Sequence, residues 1–315
     1  MQTVRNRVAD ILGIDLPIVQ APMNYIAGHA LAAAVSAAGG MGVLGPNAGK
    51  VQGEEISMRE RTLREFARIR EVTDKPVGIN VVVPDGENKA ALMYARSTVE
   101  AAAEGGATAA FCVGGLQPTI FELIKEKGMK LIVRPLTPTV KNAREAQAMG
   151  ADIFVATGYD AGGFLPSHHT GTFSIVPTIV DAVTIPVLAA GGINDLRGVR
   201  AAFALGAEGV YVGTRFIATN ECAANDHAKE LICKLSGSNL LYSPSLLAWC
   251  LRCSNVSAIS TFSVSLRFFE PFLRFCSKRL PSFIYCCSPM RLPNSMNAFP
   301  SGTPPLIWQL VSYIS

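Results

Sequence analysis

The feature that most constrains this chain is an eightfold alternation of two patterns. Short apolar, β-branched runs recur at Pro17–Pro22, Met41–Gly45, Val77–Val83, Thr108–Gly114, Lys130–Pro135, Asp152–Gly158, Pro186–Gly192 and Gly209–Phe216. Most are nearly continuous rather than alternating, as parallel strands covered on both faces must be. Helical patterns fill the gaps: Gly28–Ala38, Ser57–Val72, Asn88–Glu104, Gln117–Lys127, Thr139–Met149, Thr172–Ala182, Asp195–Leu205 and Ala223–Leu231. Ser57-Met58-Arg59-Glu60 has the form of a capping box, and Asp195 is placed to cap the helix after it. Gly105-Gly106, Gly128, Gly150 and Gly206 stand where left-handed helix caps belong.

Eight strand–helix units in register predict an α/β fold, a (β/α)8 TIM barrel. The competing architecture is an open doubly wound sheet. No Gly-x-Gly-x-x-Gly follows an early strand, and the count of eight favours closure. The pattern divides the chain into a barrel over 1–232 and an irregular C-terminal tail over 233–315. The tail is rich in Ser, Leu, Phe, Cys and Pro, holds both tryptophans, and from Leu235 onward has no Asp and no His. It reads either as a frame-shifted translation of an ordinary segment or as a poorly ordered extension.

The net charge of +4 is concentrated in that tail, with its seven Lys/Arg and single acid, Glu270. The barrel region has no basic run interleaved with aromatics, so nucleic acid is not an expected partner. Membrane insertion is not expected either. Leu31–Leu44 is interrupted by Gly39, Gly40 and Gly42, and Met1–Ile11 lacks the apolar core of a signal peptide. Six of the eight cysteines lie after Ile232, leaving Cys112 and Cys222 in the barrel. That usage fits a reduced, cytoplasmic protein. Cys250-x-x-Cys253 and Cys286-Cys287 do not make a zinc set, so no metal is expected.

Barrels of this kind place chemistry in the loops after the strands, with phosphate held after strands seven and eight. Those loops carry Gly191-Gly192 and Gly213-Thr214. Glycine lets backbone N–H groups approach phosphate oxygens, and Thr214 adds a hydroxyl. The alternative is that the glycines only make tight turns.

These residues belong to a longer series: Gln20-Ala21-Pro22-Met23, Gly78-Ile79-Asn80, Asp160-Ala161-Gly162-Gly163, Ala189-Ala190-Gly191-Gly192-Ile193 and Val212-Gly213-Thr214-Arg215-Phe216. In that order, over about Arg5 to Lys229, the chain resembles the nitronate monooxygenase (2-nitropropane dioxygenase) family of FMN barrels. That family also includes FMN-dependent enoyl-acyl-carrier-protein reductases and quinone reductases. The resemblance implies FMN, with the ring near Ala21, Pro22, Met23 and Asn80. It puts Gly162 and Gly163 beside the flavin and the phosphate on Gly191, Gly192, Gly213 and Thr214. It implies a small-molecule substrate, leaves NAD(P)H open as an electron donor and allows a homodimer. The activity implied is oxidation of alkyl nitronates with dioxygen. NAD(P)H-dependent enoyl-thioester or quinone reduction, or flavin binding without efficient catalysis, are the alternatives.

One departure bears on the reaction. Where the family commonly has a histidine after the glycines, acting as base, this chain has Phe164. His168 and His169 follow within the same loop and are the candidates to replace it. The alternative is that both are exposed loop residues. His29, at the start of the first helix, is a further candidate for the pocket rim.

Overall fold

The computed structural model describes residues 6–234. The expected tail over 233–315 lies outside them except for Cys233 and Lys234, the last residues of a helix that crosses the expected boundary. In chain order the elements are α1 (Arg7–Leu12), β1 (Ile18–Gln20), α2 (His29–Ala37), β2 (Gly42–Leu44), α3 (Met58–Arg70) and β3 (Val77–Val83). Next come α4 (Lys89–Glu104), β4 (Ala109–Gly114), α5 (Pro118–Glu126), β5 (Lys130–Arg134), α6 (Val140–Ala148) and β6 (Ile153–Thr157). The series ends with α7 (Thr172–Val180), β7 (Val187–Ala190), α8 (Leu196–Ala204), β8 (Gly209–Val212), α9 (Thr214–Ile217) and α10 (Asp226–Lys234).

All strand pairs are parallel, in the order β1-β8-β7-β6-β5-β4-β3-β2. The two ends of that order meet through one bridge, Val19 with Met41, which closes the expected (β/α)8 barrel. At this seam Gln20 does the work of a ladder. It is fully buried, and its side-chain oxygen accepts from Val43 N–H at 2.9 Å. Its Nε2 donates to the carbonyls of Val43 at 3.1 Å and Ala21 at 2.6 Å. A primary amide has the donor and acceptor of a peptide group, so it substitutes for the missing strand residue.

Side-chain alternation sorts the core into two layers. Val19, Met41, Phe111, Ile132, Val155 and Tyr211 pack together inside the barrel. Their sequence neighbours, such as Ile18, Val81, Leu131, Phe154 and Val210, pack outward against the helices. Helix α1 was not anticipated from the sequence. Its Val8 and Leu12 join the inner layer and so plug the N-terminal end of the barrel. Asn6 Nδ2 donates to the Glu208 carbonyl at 2.8 Å, and Arg7 pairs with the Glu208 carboxylate, tying the first element to the last strand.

Two helix starts follow the caps expected from the sequence, at Ser57 and Asp195, and Asn88 and Thr139 add two more. Ser57 and Glu60 form the reciprocal capping box of α3, Asn88 caps α4, Thr139 caps α6 and Asp195 caps α8. Ser57→Ala is expected to cost about 1 kcal/mol, readable as a lower denaturant midpoint with an unchanged slope. Gly106, Gly128, Gly150 and Gly206 take positive φ at helix ends, whereas Gly105 stays right-handed. The eighth run departs from expectation. The strand stops at Val212, and Thr214–Ile217 turns into the short helix α9, because the chain leaves the sheet at Gly213.

Candidate active site

The inward parity that fills the barrel also decides what lines its mouth. At the carboxyl ends of the strands the inward positions are Ala21, Asn80, Val82, Val113, Arg134 and Thr157. Val82 is 49% exposed although it sits within a seven-residue strand. The side chains therefore stop short of filling the barrel, and an open, partly apolar floor remains.

The first wall is the β1–α2 loop. Ala21 is buried, Pro22 and Met23 are half-buried, and Met23 packs on the outer core. Tyr25 holds a left-handed φ of 64°, unusual for an aromatic residue, and donates its N–H to the Pro46 carbonyl at 2.9 Å. Asn47 Nδ2 bonds to Asn24 Oδ1 at 3.1 Å, so the β1–α2 and β2–α3 loops hold one another.

The opposite wall comes from the loops after β6, β7 and β8. Gly191 has φ 108°, a conformation closed to other residues, and a Cβ there would lie 2.7 Å from Thr172 Oγ1. Thr172 Oγ1 instead donates to the Gly191 carbonyl at 3.0 Å. Asp160 accepts from Thr172 N–H at 2.7 Å and so fixes the β6–α7 loop against the start of α7. A Cβ at Gly162 would lie 2.8 Å from Thr214 Oγ1, and one at Gly192 would lie 3.3 Å from Asp160 Cβ. At Gly213 it would lie 3.6 Å from Ala21 Cβ and 4.0 Å from Met23 Sδ. The structure thus gathers Ala21, Met23, Gly162, Gly191, Gly192, Gly213 and Thr214 around one rim. Among the described residues no backbone bond is donated by the amides of Gly162, Gly191, Gly192, Gly213 or Thr214. A row of unpaired N–H groups beside exposed glycines is the chemistry of an oxyanion cradle.

Asn80 lies on the floor, 5% exposed, and donates to the Phe111 carbonyl at 3.0 Å. Its Oδ1 makes no hydrogen bond among the described residues and can accept one from a ligand. Thr157 Oγ1 is buried with no hydrogen-bond partner. Such an orphan donor at the floor of an open mouth is satisfied when a polar ligand or water reaches it. Arg134 is half-buried and close enough to Tyr211 to act on its titration. Burial pushes the Tyr211 hydroxyl up in pKa, with Arg134 opposing, so the phenol stays a proton donor inside the barrel.

Arg134, Thr157 and Val82 were not singled out in the sequence. The readable signal is Arg134, a cation that ends the apolar stretch Leu131–Val133, whose facing needs only the strand parity.

The candidate histidines are not brought to the floor. His168 and His169 are exposed in the β6–α7 loop, and the His169 ring packs at a tilt against Tyr159 with centroids 4.3 Å apart. Ser167 bonds to Thr137 and pins the same loop to the one after β5. Gly163 is exposed with φ 83°, and Phe164 beyond it is 57% exposed. His29 places Nδ1 2.9 Å from Oε2 of the buried Glu65, whose same oxygen accepts the His29 N–H at 3.0 Å. Cys112 is fully buried and its thiol is pushed up in pKa by desolvation, which makes it a packing residue. Among the described residues no three His, Cys, Asp or Glu side chains converge as a metal set, and no helix is long and apolar enough to cross a membrane.

A family model described as nitronate monooxygenase matches residues 5–241. Among curated relatives, the "(3aS,4S,5R,7aS)-5-hydroxy-7a-methyl-1-oxo-octahydro-1H-indene-4-carboxyl-CoA dehydrogenase" of Rhodococcus jostii is 34% identical over 235 residues, covering 73% of this chain. The chain spans only about 60% of that relative's length. A probable nitronate monooxygenase of Staphylococcus saprophyticus is 31% identical, with 72% of each protein covered. Among solved structures, FabK from Thermotoga maritima superposes with a TM-score of 0.64 at 35% identity, covering 74% of this chain and 69% of that one.

Proposed function

The chain belongs to the nitronate monooxygenase family, and from that premise we propose that it is an FMN-dependent oxidoreductase acting on alkyl nitronates with dioxygen. The observation that carries the cofactor is the rim of unbonded amides at Gly162, Gly191, Gly192, Gly213 and Thr214 above a floor with an orphaned hydroxyl. These groups fit a phosphorylated, flat, amphipathic ligand. Gly191, Gly192, Gly213 and Thr214 would hold the phosphate, with Gly162 and Gly163 as the near edge. Ala21, Pro22 and Met23 would give the ring a flat wall with a polarizable sulfur, and Asn80 Oδ1 would accept from its polar edge. When bound, the cofactor supplies electron transfer from substrate and onward to dioxygen, and the protein binds and orients it.

The proton chemistry follows from the chain's own residues. Phe164 cannot take a proton, and His168 and His169 are exposed rather than on the floor. A nitronate arrives already deprotonated at carbon, so it needs no base. A neutral nitroalkane does. His168 and His169 remain the proposed candidates for proton transfer if the loop folds inward over a bound ligand.

The test is the visible spectrum of purified protein. Flavin bands are expected, and they are bleached by alkyl nitronate under anaerobic conditions. Thr214→Val is expected to weaken FMN binding about tenfold or more, as loss of a hydrogen bond to a charged group should. A colourless protein that takes up no FMN defeats the proposal.

A second reading has its own support. The carboxyl-CoA dehydrogenase and FabK align at 34% and 35% identity, above the 31% of the nitronate monooxygenase. Under that reading the substrate is an acyl thioester and NAD(P)H is the reductant of the flavin. Bleaching by NADH or NADPH, with none by nitronate, would select it.

A further inference from the structure

We propose that the recess between the top of β2 and β3 and the helices α3 and α4 binds one oxyanion group, a carboxylate or a phosphate, on Arg61. The recess encloses about 30 Å³, and its walls include Asn47, Arg61, Glu65, Asn80, Tyr94 and Thr98. That is room for roughly one water molecule or the head of a small anionic group.

Arg61 lies on the buried face of α3 and is only 8% exposed. Arginine is seldom buried this deeply without a partner, because its charge loses water and must regain something. Among the described residues, Arg61 makes no hydrogen bond and no ion pair. The carboxylates around it are already committed. Glu65 Oε2 accepts from the backbone N–H and Nδ1 of His29, and its Oε1 accepts from Arg68 at 3.3 Å. Glu54, whose field reaches Arg61, is held in a two-point ion pair by Arg64. Of the remaining walls, the Thr98 hydroxyl is donated to the Tyr94 carbonyl and Asn80 is neutral. An almost fully buried guanidinium with no hydrogen-bond partner among the described residues therefore faces this small space, and the Glu65 carboxylate in its wall is already held by His29 and Arg68. The planar fork of arginine matches a carboxylate or phosphate at two oxygens.

The recess shares Asn80 and Val82 with the barrel mouth. A ligand anchored at Arg61 would therefore extend its other end over the floor. The site does not depend on which cofactor or reaction the mouth supports.

The test is calorimetric titration of the full chain with sodium acetate, and separately with inorganic phosphate, at constant ionic strength in chloride. Wild type is expected to bind at least one of the two anions saturably. Arg61→Gln and Arg61→Met should each weaken that event about tenfold or more. Both variants should melt at or above the wild-type temperature, since each removes a buried charge that no hydrogen bond satisfies. Phosphate can also occupy the glycine rim, so that arm is repeated with Thr214→Val. The Arg61-dependent event should survive Thr214→Val, which separates this site from the cofactor cradle. Acetate alone identifies a carboxylate site and phosphate alone a phosphate-ester site. Absence of both from wild type, or equal affinity in wild type and the Arg61 variants, overturns the proposal.

Discussion

Replacing Gln20 with leucine is expected to destabilise the barrel by about 2–5 kcal/mol, with each buried backbone group left unpaired costing about 1–3 kcal/mol. The size of the effect comes from position rather than from the residue's own burial. Every other neighbouring strand pair is joined by a ladder, but β1 and β2 share the single bridge between Val19 and Met41. Gln20 bonds both the N–H and the carbonyl of Val43, and leucine would orphan both in a dry layer. Leucine fills nearly the same volume, so a cavity does not confound the result. Gln20→Glu should also destabilise, because the carboxylate retains the acceptor, loses the donor and must bury a charge. Chemical denaturation of the three proteins measures the difference. A loss below about 1 kcal/mol for the leucine variant would show that the seam is held by packing instead.

The second large effect concerns substrate discrimination. Under the proposed reaction, turnover of an alkyl nitronate should exceed that of its parent nitroalkane by about 10²–10⁴-fold, the usual contribution of a positioned general base. The reason is the exposed phenyl ring of Phe164 and the exposed position of His169, whose ring packs at a tilt against Tyr159. Phe164→His should raise nitroalkane turnover while leaving nitronate turnover within a few-fold. The gain should follow a sigmoidal pH profile near the ordinary histidine range, about pH 6.5. Equal turnover of both substrates by the wild-type protein would sink this account and point to His168 or His169 as a working base.

The sequence made the barrel legible because each strand–helix unit carries its own local signals. Ser57, Asn88, Thr139 and Asp195 mark helix starts through bonds to residues two or three positions on. Such bonds do not depend on the fold. The glycine rim was legible for a similar reason, since only glycine takes the φ of 108° found at Gly191. Features that arise only on closure were not legible. Gln20 was visible in its motif, but its role requires β1 to lie beside β2. Arg61 reads as one more charge on a helix until α3 is docked with that face inward. Helix α1 has six residues, too few for a period to show, although Asn6 and Gly13 cap it at either end. The end of the run Gly209–Phe216 reads as strand from its residue types, and the tertiary path after Gly213 overrides that preference to make α9.

The closing seam also sets an order of events in time. Strand β1 leaves the ribosome early, but its three-residue partner register is with β8, about 190 positions later. At roughly 5–20 residues per second that interval is on the order of 10–40 s. During it, β1 can be held only by one bridge and the Gln20 amide, and its other edge is open to any extended strand. Arg7 and Asn6 wait equally long for Glu208. Yield of this protein should therefore respond to translation speed and to chaperones that shield unpaired edges, more than to the stability of the finished fold.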